Sequence, residues 1–316
     1  MVSQQQLIDN LKKYYGLNVI SVKAINRLMF RQSFLVNTED DNRYVVKDYS
    51  DSYSLEELST IWQYYWILHD NGMNVGRPLR RLDSATFHIC LNNRYYVVFE
   101  YVAGERPNIE NIRKIADCLR EYHDIASKLN IDGLESTEKR LEPVKELFSY
   151  FHFGSYPLKE EIILCEPNVT RITQIYENNE NTIIHGDTIL ENMVMNDDGI
   201  CLIDYDTIRI GDRMEDVANT VLSILYNGSS NYAIHPERAM QVYSFIDNYY
   251  REKRSYQIEN RIHYYIQVHC VIELVRFAEN IRFLVRMPGM KDYILMLLKV
   301  LRSNSLVDLM KENKYV

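Results

Sequence analysis

The chain has 316 residues, of which 46% are hydrophobic, and its formal net charge at pH 7 is −8. This length is sufficient for a sizeable core and favours two lobes or domains, whereas the negative charge disfavours nucleic acid and anionic membrane as partners. The N-terminal segment lacks the apolar core of a signal peptide and no run of 18 apolar residues occurs, so we expect a cytoplasmic protein without a membrane span.

Two common nucleotide-binding motifs are missing from the sequence. Its 11 glycines form no G-x-x-x-x-G-K-[ST], which argues against a Walker-type NTPase. They form no G-x-G-x-x-G either, which argues against a dinucleotide fold and against a typical glycine-rich kinase loop. The five cysteines are scattered without a C-x-x-C pair, so neither a zinc site nor a disulfide framework is indicated. Buried, reduced thiols are expected.

The first fifty residues predict a helix followed by strands. Residues 4–15 have the periodicity of a short amphipathic helix. Within residues 18–49, two β-rich runs lie on either side of a polar turn at residues 38–42. Lys47 ends the second run. This arrangement predicts antiparallel strands.

A second helix and a further strand follow. Residues 54–71 predict a helix in which Ser54 and Glu57 form a capping box. Its predicted apolar face consists of Leu55, Leu58, Ile61, Trp62, Tyr65 and Leu68. Residues 95–104 predict a buried strand that runs into a glycine.

Most of the remaining chain has helical periodicity. Residues 109–129 predict a helix on which His123 is expected to be packed and hydrogen-bonded rather than a ligand. Further helices are predicted over residues 136–180 with a break near 154–157, and over 216–227, 236–254, 257–285 and 290–313. His269 and Glu273 are four residues apart on one helix, and we expect an ordinary polar contact there rather than a metal pair.

The stretch 183–216 differs from its surroundings, because short apolar runs alternate in it with polar turns. Two apolar runs, 193–195 and 201–203, are joined by an Asn-Asp-Asp-Gly turn, which predicts a β-hairpin. Asn192 precedes the first strand and Asp204 follows the second. We therefore expect these two side chains to be neighbours in space.

Asn192 and Asp204 supply oxygen ligands of the kind that magnesium prefers, and they leave room for water and phosphate oxygens. Asp187 lies five residues before Asn192, on the loop that enters the hairpin, where it can reach a hydroxyl directed at a metal-bound phosphate. Kinase-type phosphoryl transfer divides the work in this way: an Asp accepts the hydroxyl proton, and an Asn and an Asp bind the metal ions. The alternative is a hairpin with polar surface residues.

The combined pattern is H-G-D-x-x-x-x-N, then I-D-Y-D, then G-D-x-x-x-D-x-A. It resembles the aminoglycoside phosphotransferase and choline kinase family, which is similar to protein kinases but has glycine where they usually carry arginine. The resemblance implies Asp187 as the catalytic base and Asn192 and Asp204 as magnesium ligands. It also implies His185 and Asp216 as structural support of the catalytic loop, with Asp216 a buried acceptor.

The same resemblance implies contacts with the nucleotide phosphates in the first hundred residues. Lys47 would contact the phosphates, the alternative being a solvated lysine at a strand end. Ser33 and backbone N–H groups of a turn at residues 30–33 would donate to them. Glu57 is the candidate ion-pair partner of Lys47, although its capping role competes with that pairing. The position at which the family often has this Glu is Ile61 here.

Residues 95–104 correspond in the family to the last strand of the small lobe and the hinge. Backbone groups at Glu100 and Val102 would then bond the adenine edge. The alternative is a central strand followed by a loop, and the two descriptions are compatible because hinge contacts use the backbone.

The resemblance implies a two-lobed, protein-kinase-like α+β fold with the nucleotide between the lobes. A small antiparallel-sheet lobe would span residues 1–102 and end in the hinge. A large, mainly helical lobe would span residues 103–316 and contain the catalytic hairpin, at about 183–216, and the acceptor-binding helices. The sequence predicts no particular oligomeric state.

The activity implied is magnesium-dependent transfer of the γ-phosphoryl group of ATP or GTP to a hydroxyl of a small molecule. An antibiotic such as an aminoglycoside ranks first as acceptor, ahead of a metabolite such as choline, homoserine or a sugar. A non-catalytic kinase-like structural protein, such as a spore-coat component, is the remaining alternative. Residues 205–210 separate Asp204 from Gly211 and span about 20 Å at most when extended. That is too short for the peptide platform of a protein kinase, so a small acceptor is predicted.

Overall fold

The computed structural model describes residues 2–28, 31–49, 54–153, 158–176, 180–226, 233–253, 255–279 and 289–311. The chain divides into two compact units. One consists of Met1–Glu105 with Asn130–Leu134, and the other of Arg106–Leu129 with Glu135–Val316. The functional division at residue 102 stays a prediction.

The first unit contains an antiparallel sheet. Among the described residues, five strands pair in the order β1-β2-β3-β5-β4. They are β1 (Val19–Leu28), β2 (Arg31–Thr38), β3 (Arg43–Asp48), β4 (His88–Leu91) and β5 (Arg94–Glu100). The strands predicted within residues 18–49 are confirmed. The strand predicted over 95–104 is observed as Arg94–Glu100, and its pairing ends where the partner strand begins, because Glu100 lies opposite Tyr44, the second residue of β3.

Helix α1 (Gln4–Tyr15) packs its apolar residues against this sheet. Ser3 caps the helix, since its hydroxyl accepts a hydrogen bond from the N–H of Gln6. The helix predicted over residues 4–15 is confirmed. The shared core consists of Leu7, Leu11, Tyr15, Leu17, Val36, Val46, Ile89, Leu91, Tyr96 and Val98.

Helix α2 (Leu55–Asp70) begins with the predicted capping box. The N–H of Glu57 donates to Ser54 Oγ at 3.2 Å, and the N–H of Ser54 donates to Glu57 Oε2 at 2.7 Å. The predicted apolar face is buried except at Leu55, which is 38% exposed. The prediction is wrong for Leu55, which is the first residue of the helix and precedes the buried residues Leu58 to Leu68.

The second unit is mainly helical. Its helices are α3 (Ile112–Ala126), α4 (Thr137–Leu141), α5 (Val144–Phe153), α6 (Lys159–Ile163), α7 (Glu166–Gln174), α8 (Arg213–Tyr226), α9 (Ala239–Tyr250), α10 (Tyr256–Glu279), α11 (Met290–Arg302) and α12 (Leu306–Leu309). The predicted α+β class, with an antiparallel-sheet lobe and a mainly helical lobe, is confirmed.

Two short antiparallel pairs lie among these helices. Strand β6 (Thr182–Ile184) pairs with β9 (Arg209–Gly211), and β7 (Met193–Asn196) pairs with β8 (Gly199–Leu202). The second pair is the predicted hairpin. Its turn is closed by the side chain of Asn196, whose Oδ1 accepts from the N–H of Asp198 at 3.0 Å.

Some predicted helix ends are wrong. Helix α8 begins at Arg213 rather than at residue 216, because Asp212 Oδ1 accepts from the N–H of Met214 and so caps an earlier start. The single helix predicted over 290–313 is two helices. The second starts after Ser305, whose hydroxyl accepts from the N–H of Asp308. The predicted break at 154–157 and the predicted ends at 227, 285 and 313 lie outside the described residues.

All five cysteines are free thiols, and Cys118, Cys165, Cys201 and Cys270 are buried as expected. Cys90 is exposed instead, because it lies on the outward face of β4, an edge strand of the sheet. Within the described part of the chain, no helix is both long and apolar enough to cross a membrane.

Candidate active site

The central group of the site is the carboxylate of Asp216, which is fully buried in the first turn of α8. Oδ2 accepts from the N–H of His185 at 2.8 Å, and Oδ1 accepts from the N–H of Gly186 at 2.7 Å. His123 Nε2 lies 3.0 Å from Oδ2, and His123 Nδ1 lies 2.7 Å from the hydroxyl of Tyr249. Asp216 is thus a buried acceptor for two successive N–H groups, and its support of a catalytic loop stays a prediction. His123 is packed and hydrogen-bonded as predicted.

Burial alone would raise the pKa of Asp216. The hydrogen bond and charge of His123, together with the backbone N–H of His185, outweigh that effect and lower the pKa below its usual range. The group therefore stays ionised, and hydrogen bonds to a charged acceptor are stronger than those to a neutral one.

His185 links the catalytic loop, residues 185–192, to the end of the hairpin. Its Nε2 lies 3.0 Å from the carbonyl oxygen of Ile203, and a carbonyl only accepts, so Nε2 carries the proton. Nδ1 is then the acceptor for the N–H of Asp187 at 3.3 Å. Thr207 Oγ1 donates to the carbonyl of His185 at 2.9 Å. These contacts fix the imidazole and give its tautomer, and its support role stays a prediction.

Asp187 is held directly by Asn192. The Asn192 amide nitrogen donates to Asp187 Oδ2 at 2.8 Å and to the Asp187 carbonyl at 2.9 Å. Asn192 itself is 9% exposed and ends a short 3-10 helix, Leu190–Asn192, just before β7. Because the amide nitrogen bonds Asp187, the amide oxygen is the Asn192 atom suited to a metal ion.

Asp204 follows the hairpin in an unusual backbone conformation. Its φ of 67° and ψ of 56° lie in the left-handed region, which is uncommon for a residue other than glycine. The N–H of Ile203 donates to the carbonyl of Asn192 at 2.9 Å, so the backbone brings Asp204 next to Asn192. An amide oxygen beside a carboxylate fits magnesium, which takes oxygen ligands and keeps several positions for water and phosphate.

Charges on α10 act on Asp187. Its pKa is raised to about 7, first by burial and then by the negative charge of Glu273, with a smaller effect from Asp204. The positive charge of Arg276 and the hydrogen bond from Asn192 act in the opposite direction. Glu273 and Arg276 are thus the charged groups of α10 that act on Asp187.

Glu273 has different partners from those predicted. It accepts from Arg276 Nη1 at 2.5 Å and from the hydroxyl of Tyr293 on α11 at 3.0 Å. Burial lowers the pKa of His269 to about 4, so this histidine is neutral at pH 7. Among the described residues, no group of three or more His, Cys, Asp or Glu side chains is arranged to bind a metal ion. The sequence does not single out Arg276 and Tyr293, because neither belongs to a motif.

In the first unit, Lys47 lies on β3 opposite Ser33 of β2, and its Nζ is 5.4 Å from the ring centroid of Phe99. The prediction of a turn over residues 30–33 is wrong for Ser33, because the strand pairing already begins at Arg31. Phe30 lies outside the described residues. Glu57 has its capping role, and its pairing with Lys47 stays a prediction.

Glu100 ends β5, and its side chain and N–H are both used within the first unit. Its N–H donates to the carbonyl of Arg77 at 2.9 Å, and its carboxylate accepts two hydrogen bonds from the Arg77 guanidinium, at 2.6 and 3.0 Å. Of the backbone groups predicted to bond adenine at Glu100, only the carbonyl is therefore suitable. A Cβ on Gly76 would lie 2.6 Å from this carbonyl oxygen and 3.2 Å from Val102 Cγ2. The absence of a side chain at Gly76 therefore lets its backbone lie close to Glu100 and Val102, and no sequence motif indicates this contact.

A polar groove of about 1050 Å³ runs along α3 and the end of α9, with Arg113, Asp124 and Lys253 among its lining residues. None of the catalytic-loop residues lines it. The groove is therefore separate from Asp187.

A family model described as the phosphotransferase enzyme family, APH, matches residues 22–256 of the chain. The chain belongs to this phosphotransferase family. The resemblance inferred from the H-G-D motif is thereby confirmed. No curated protein matches the chain.

Solved structures of kinases share the fold. An amicoumacin kinase is 11% identical with a TM-score of 0.73, over 95% of this chain and 93% of that one. A microcompartment-associated aminopropanol kinase is 14% identical with a TM-score of 0.69, over 95% of each chain. A choline kinase from Cryptosporidium parvum Iowa II is 12% identical with a TM-score of 0.66, over 95% of this chain and 94% of that one. At these identities the likeness shows the fold alone.

Replacing Asp216 with Asn should destabilise the protein. An amide offers one acceptor oxygen and one NH₂ group, so at least one buried N–H of the catalytic loop loses its acceptor. We expect the free energy of unfolding to fall by about 1–3 kcal/mol, measured by urea denaturation. The exposed turn variant Asp198→Asn serves as control and should change it little. Equal stability of the two variants would contradict the assigned role of Asp216.

Proposed function

We propose that this protein is a magnesium-dependent kinase that transfers the γ-phosphoryl group of ATP or GTP to a hydroxyl of a small molecule. The observation that carries the proposal is the pair of hydrogen bonds from the Asn192 amide nitrogen to Asp187. They fix the Asp187 carboxylate, which would accept a hydrogen bond from the acceptor hydroxyl. They also leave the Asn192 amide oxygen to bind magnesium. Membership of the phosphotransferase family supports the reaction type. The AMP-PNP complex of the amicoumacin kinase supports a nucleotide donor.

The catalytic residues then have separate roles. Asp187 orients the acceptor hydroxyl and accepts its proton. Asn192 Oδ1 and the Asp204 carboxylate would bind magnesium, and the bound ion would offset charge on the phosphate oxygens. His185 and Asp216 fix the loop that carries Asp187. Most of the rate gain would come from positioning and charge neutralisation, because phosphoryl transfer needs little covalent chemistry from the protein.

The first unit would bind the nucleotide. Lys47 would contact the phosphates, with Ser33 opposite it on the neighbouring strand. The carbonyl of Glu100 and the N–H of Val102 would bond the adenine edge. A carbonyl and an N–H two residues apart on an extended chain point to the same side, which suits a base that offers a donor and an acceptor along one edge.

Two groups favour an acceptor that carries an amine: Glu273 on α10, whose charge acts on Asp187, and Tyr293 on α11, which donates to Glu273. The carboxylate of Glu273 and the ring of Tyr293 are the kinds of groups that attract an ammonium ion. Among acceptors that carry an amine, an antibiotic such as an aminoglycoside ranks first. A metabolite such as choline is the second candidate, and the aminopropanol and choline kinases of similar fold support it. The complete set of Asp187, Asn192 and Asp204 argues against a non-catalytic structural protein.

Incubation with γ-labelled ATP or GTP and magnesium should place the label in a small molecule. The screen would cover amine-bearing antibiotics, amino alcohols and sugars, with casein as a protein acceptor in parallel. We expect no label in casein or in the protein itself, because the segment after Asp204 is too short for a peptide platform. Label in protein and in no small molecule would contradict the proposal.

Asp187→Asn should lower kcat by at least about 100-fold, since general-base and orienting contributions are of that order. Nucleotide affinity should stay unchanged, because Asp187 is assigned to the acceptor hydroxyl. Single-turnover kinetics and calorimetric nucleotide titration would measure the two quantities. A variant with near-normal turnover would remove Asp187 from the proposed role.

Asp204→Ala should both weaken the binding of magnesium-nucleotide and lower kcat, because a metal ligand stabilises the bound ground state and the transition state. Asp204→Asn is the matched control for backbone strain, since asparagine tolerates the left-handed conformation. Both variants should bind free nucleotide in EDTA as the wild type does. Unchanged affinity for magnesium-nucleotide in calorimetry would place the metal elsewhere.

Glu273→Gln should raise the KM for an amine-bearing acceptor by about tenfold, the usual effect of removing a hydrogen bond to a charged group. The KM for a neutral analogue of the same acceptor should stay nearly constant. Glu259→Gln, near the start of the same helix, is the control. Equal changes for charged and neutral acceptors would show that Glu273 does not contact the amine.

A further inference from the structure

Arg209, the first residue of β9, is a buried arginine that no motif identifies, with only 3% of its surface exposed. Its Nη2 donates to Glu215 Oε2 at 2.9 Å, and its Nε donates to Thr137 Oγ1 at 2.8 Å. A buried charge needs such partners, because an unpaired one would be strongly destabilising. These two contacts fix the guanidinium in place.

Glu215 is in turn fully engaged. Its Oε2 also accepts from Thr137 Oγ1 at 2.9 Å, and its Oε1 accepts from the hydroxyl of Tyr176 at 2.7 Å and from the N–H of Asp212 at 3.1 Å. The ion pair is thus anchored to α4, α8 and the segment before β6. Its position does not depend on the catalytic loop.

The remaining nitrogen of Arg209 faces the catalytic loop. Nη1 donates to the carbonyls of Gly186 and Thr207, both at 3.3 Å. These bonds are longer than those to Glu215 and Thr137, so the ion pair sets the guanidinium position and the carbonyls adjust to it. Thr207 is connected to the loop a second time, through its hydroxyl and the carbonyl of His185.

Gly186 is compatible with this arginine only because it has no side chain. A Cβ at position 186 would lie 1.9 Å from Arg209 Nη1 and 2.5 Å from the carbonyl oxygen of Thr207. The φ of Gly186 is +79°, which also favours glycine. The guanidinium of Arg209, which belongs to β9, occupies the space that a side chain at position 186 would need.

We infer that Arg209 is a positioning residue for Asp187, acting through the carbonyl of Gly186. The Gly186 N–H donates to the anion of Asp216 while its carbonyl accepts from the cation of Arg209. Opposite charges at the two ends of one residue orient the following peptide, and that peptide carries Asp187. This inference rests on the proposed function, since Asp187 must act in catalysis for its orientation to affect kcat.

The test compares three variants of the full chain with the wild type. Arg209→Met combined with Glu215→Gln removes the pair without leaving a buried unpaired charge. Arg209→Lys keeps the charge and loses the forked geometry. Arg213→Met combined with Glu180→Gln removes an ion pair of the same residue types that also involves α8 but is more exposed, and it serves as the control.

Hydrogen exchange of the peptide covering residues 185–192, the melting temperature, and kcat and KM would be measured for each. We expect the Arg209/Glu215 double variant to lose about 10- to 100-fold in kcat, the effect of a small misplacement of a reacting group. KM should change less than about threefold, because substrate binding persists when the lost interaction acts only in the transition state. Exchange of residues 185–192 should accelerate while the α8 peptide stays protected. For kcat and for exchange of residues 185–192, the Arg209→Lys variant should lie between the double variant and the wild type. The Arg213/Glu180 control should match the wild type.

Wild-type kcat in the double variant or, if that variant does not fold, in the lysine variant would overturn the inference. So would a loss of kcat that accompanies faster exchange throughout the protein, because that pattern indicates general destabilisation. Hydrogen exchange can be measured without a phosphoryl acceptor. It therefore tests whether Arg209 orders the loop even if no substrate is known. If the wild type phosphorylates no acceptor, that result contradicts the proposed function and leaves the result of the exchange experiment on Arg209 unchanged.

Discussion

The site depends on one buried carboxylate that accepts hydrogen bonds from two successive backbone N–H groups. Asp216 lies in the interior of the second unit and has no exposed surface. The N–H groups of His185 and Gly186 would lose their acceptor if the loop took another path. An unpaired buried N–H costs about 1–3 kcal/mol, so the path of the loop is specified by α8.

A series of contacts connects the Asp216 carboxylate to Asp187 and Asp204, the residues proposed to take part in the reaction. The loop path sets the plane of His185, whose Nε2 reaches the end of the hairpin at Ile203. The same path places Asp187 within reach of Asn192. The hairpin then delivers Asp204 in a left-handed conformation that costs about 1–2 kcal/mol. Strain of this size persists when the surroundings over-determine a residue, and such residues cluster at functional sites.

Local patterns were the part of the structure that the sequence predicted well. The capping box at Ser54 and Glu57 and the hairpin at 193–202 depend on residues three to nine positions apart. Ser33 was misplaced because β2 begins earlier than its polar residues suggest.

Longer-range partners were missed for a physical reason. His123 and Asp216 are 93 positions apart, and Glu273 and Tyr293 are 20 apart on separate helices. Such pairs arise from helix packing, which a single sequence does not encode as a spacing. Family resemblance located Asp216 but carried no information on the partners supplied by other helices.

The shared space of Gly186 and Arg209 has an evolutionary consequence. A Cβ at position 186 would lie 1.9 Å from Arg209 Nη1, so a side chain there requires the guanidinium to leave the position that its ion pair with Glu215 gives it. Relatives with this arginine are therefore expected to keep glycine in the H-G-D motif, and substitutions at the two positions should be correlated across the family.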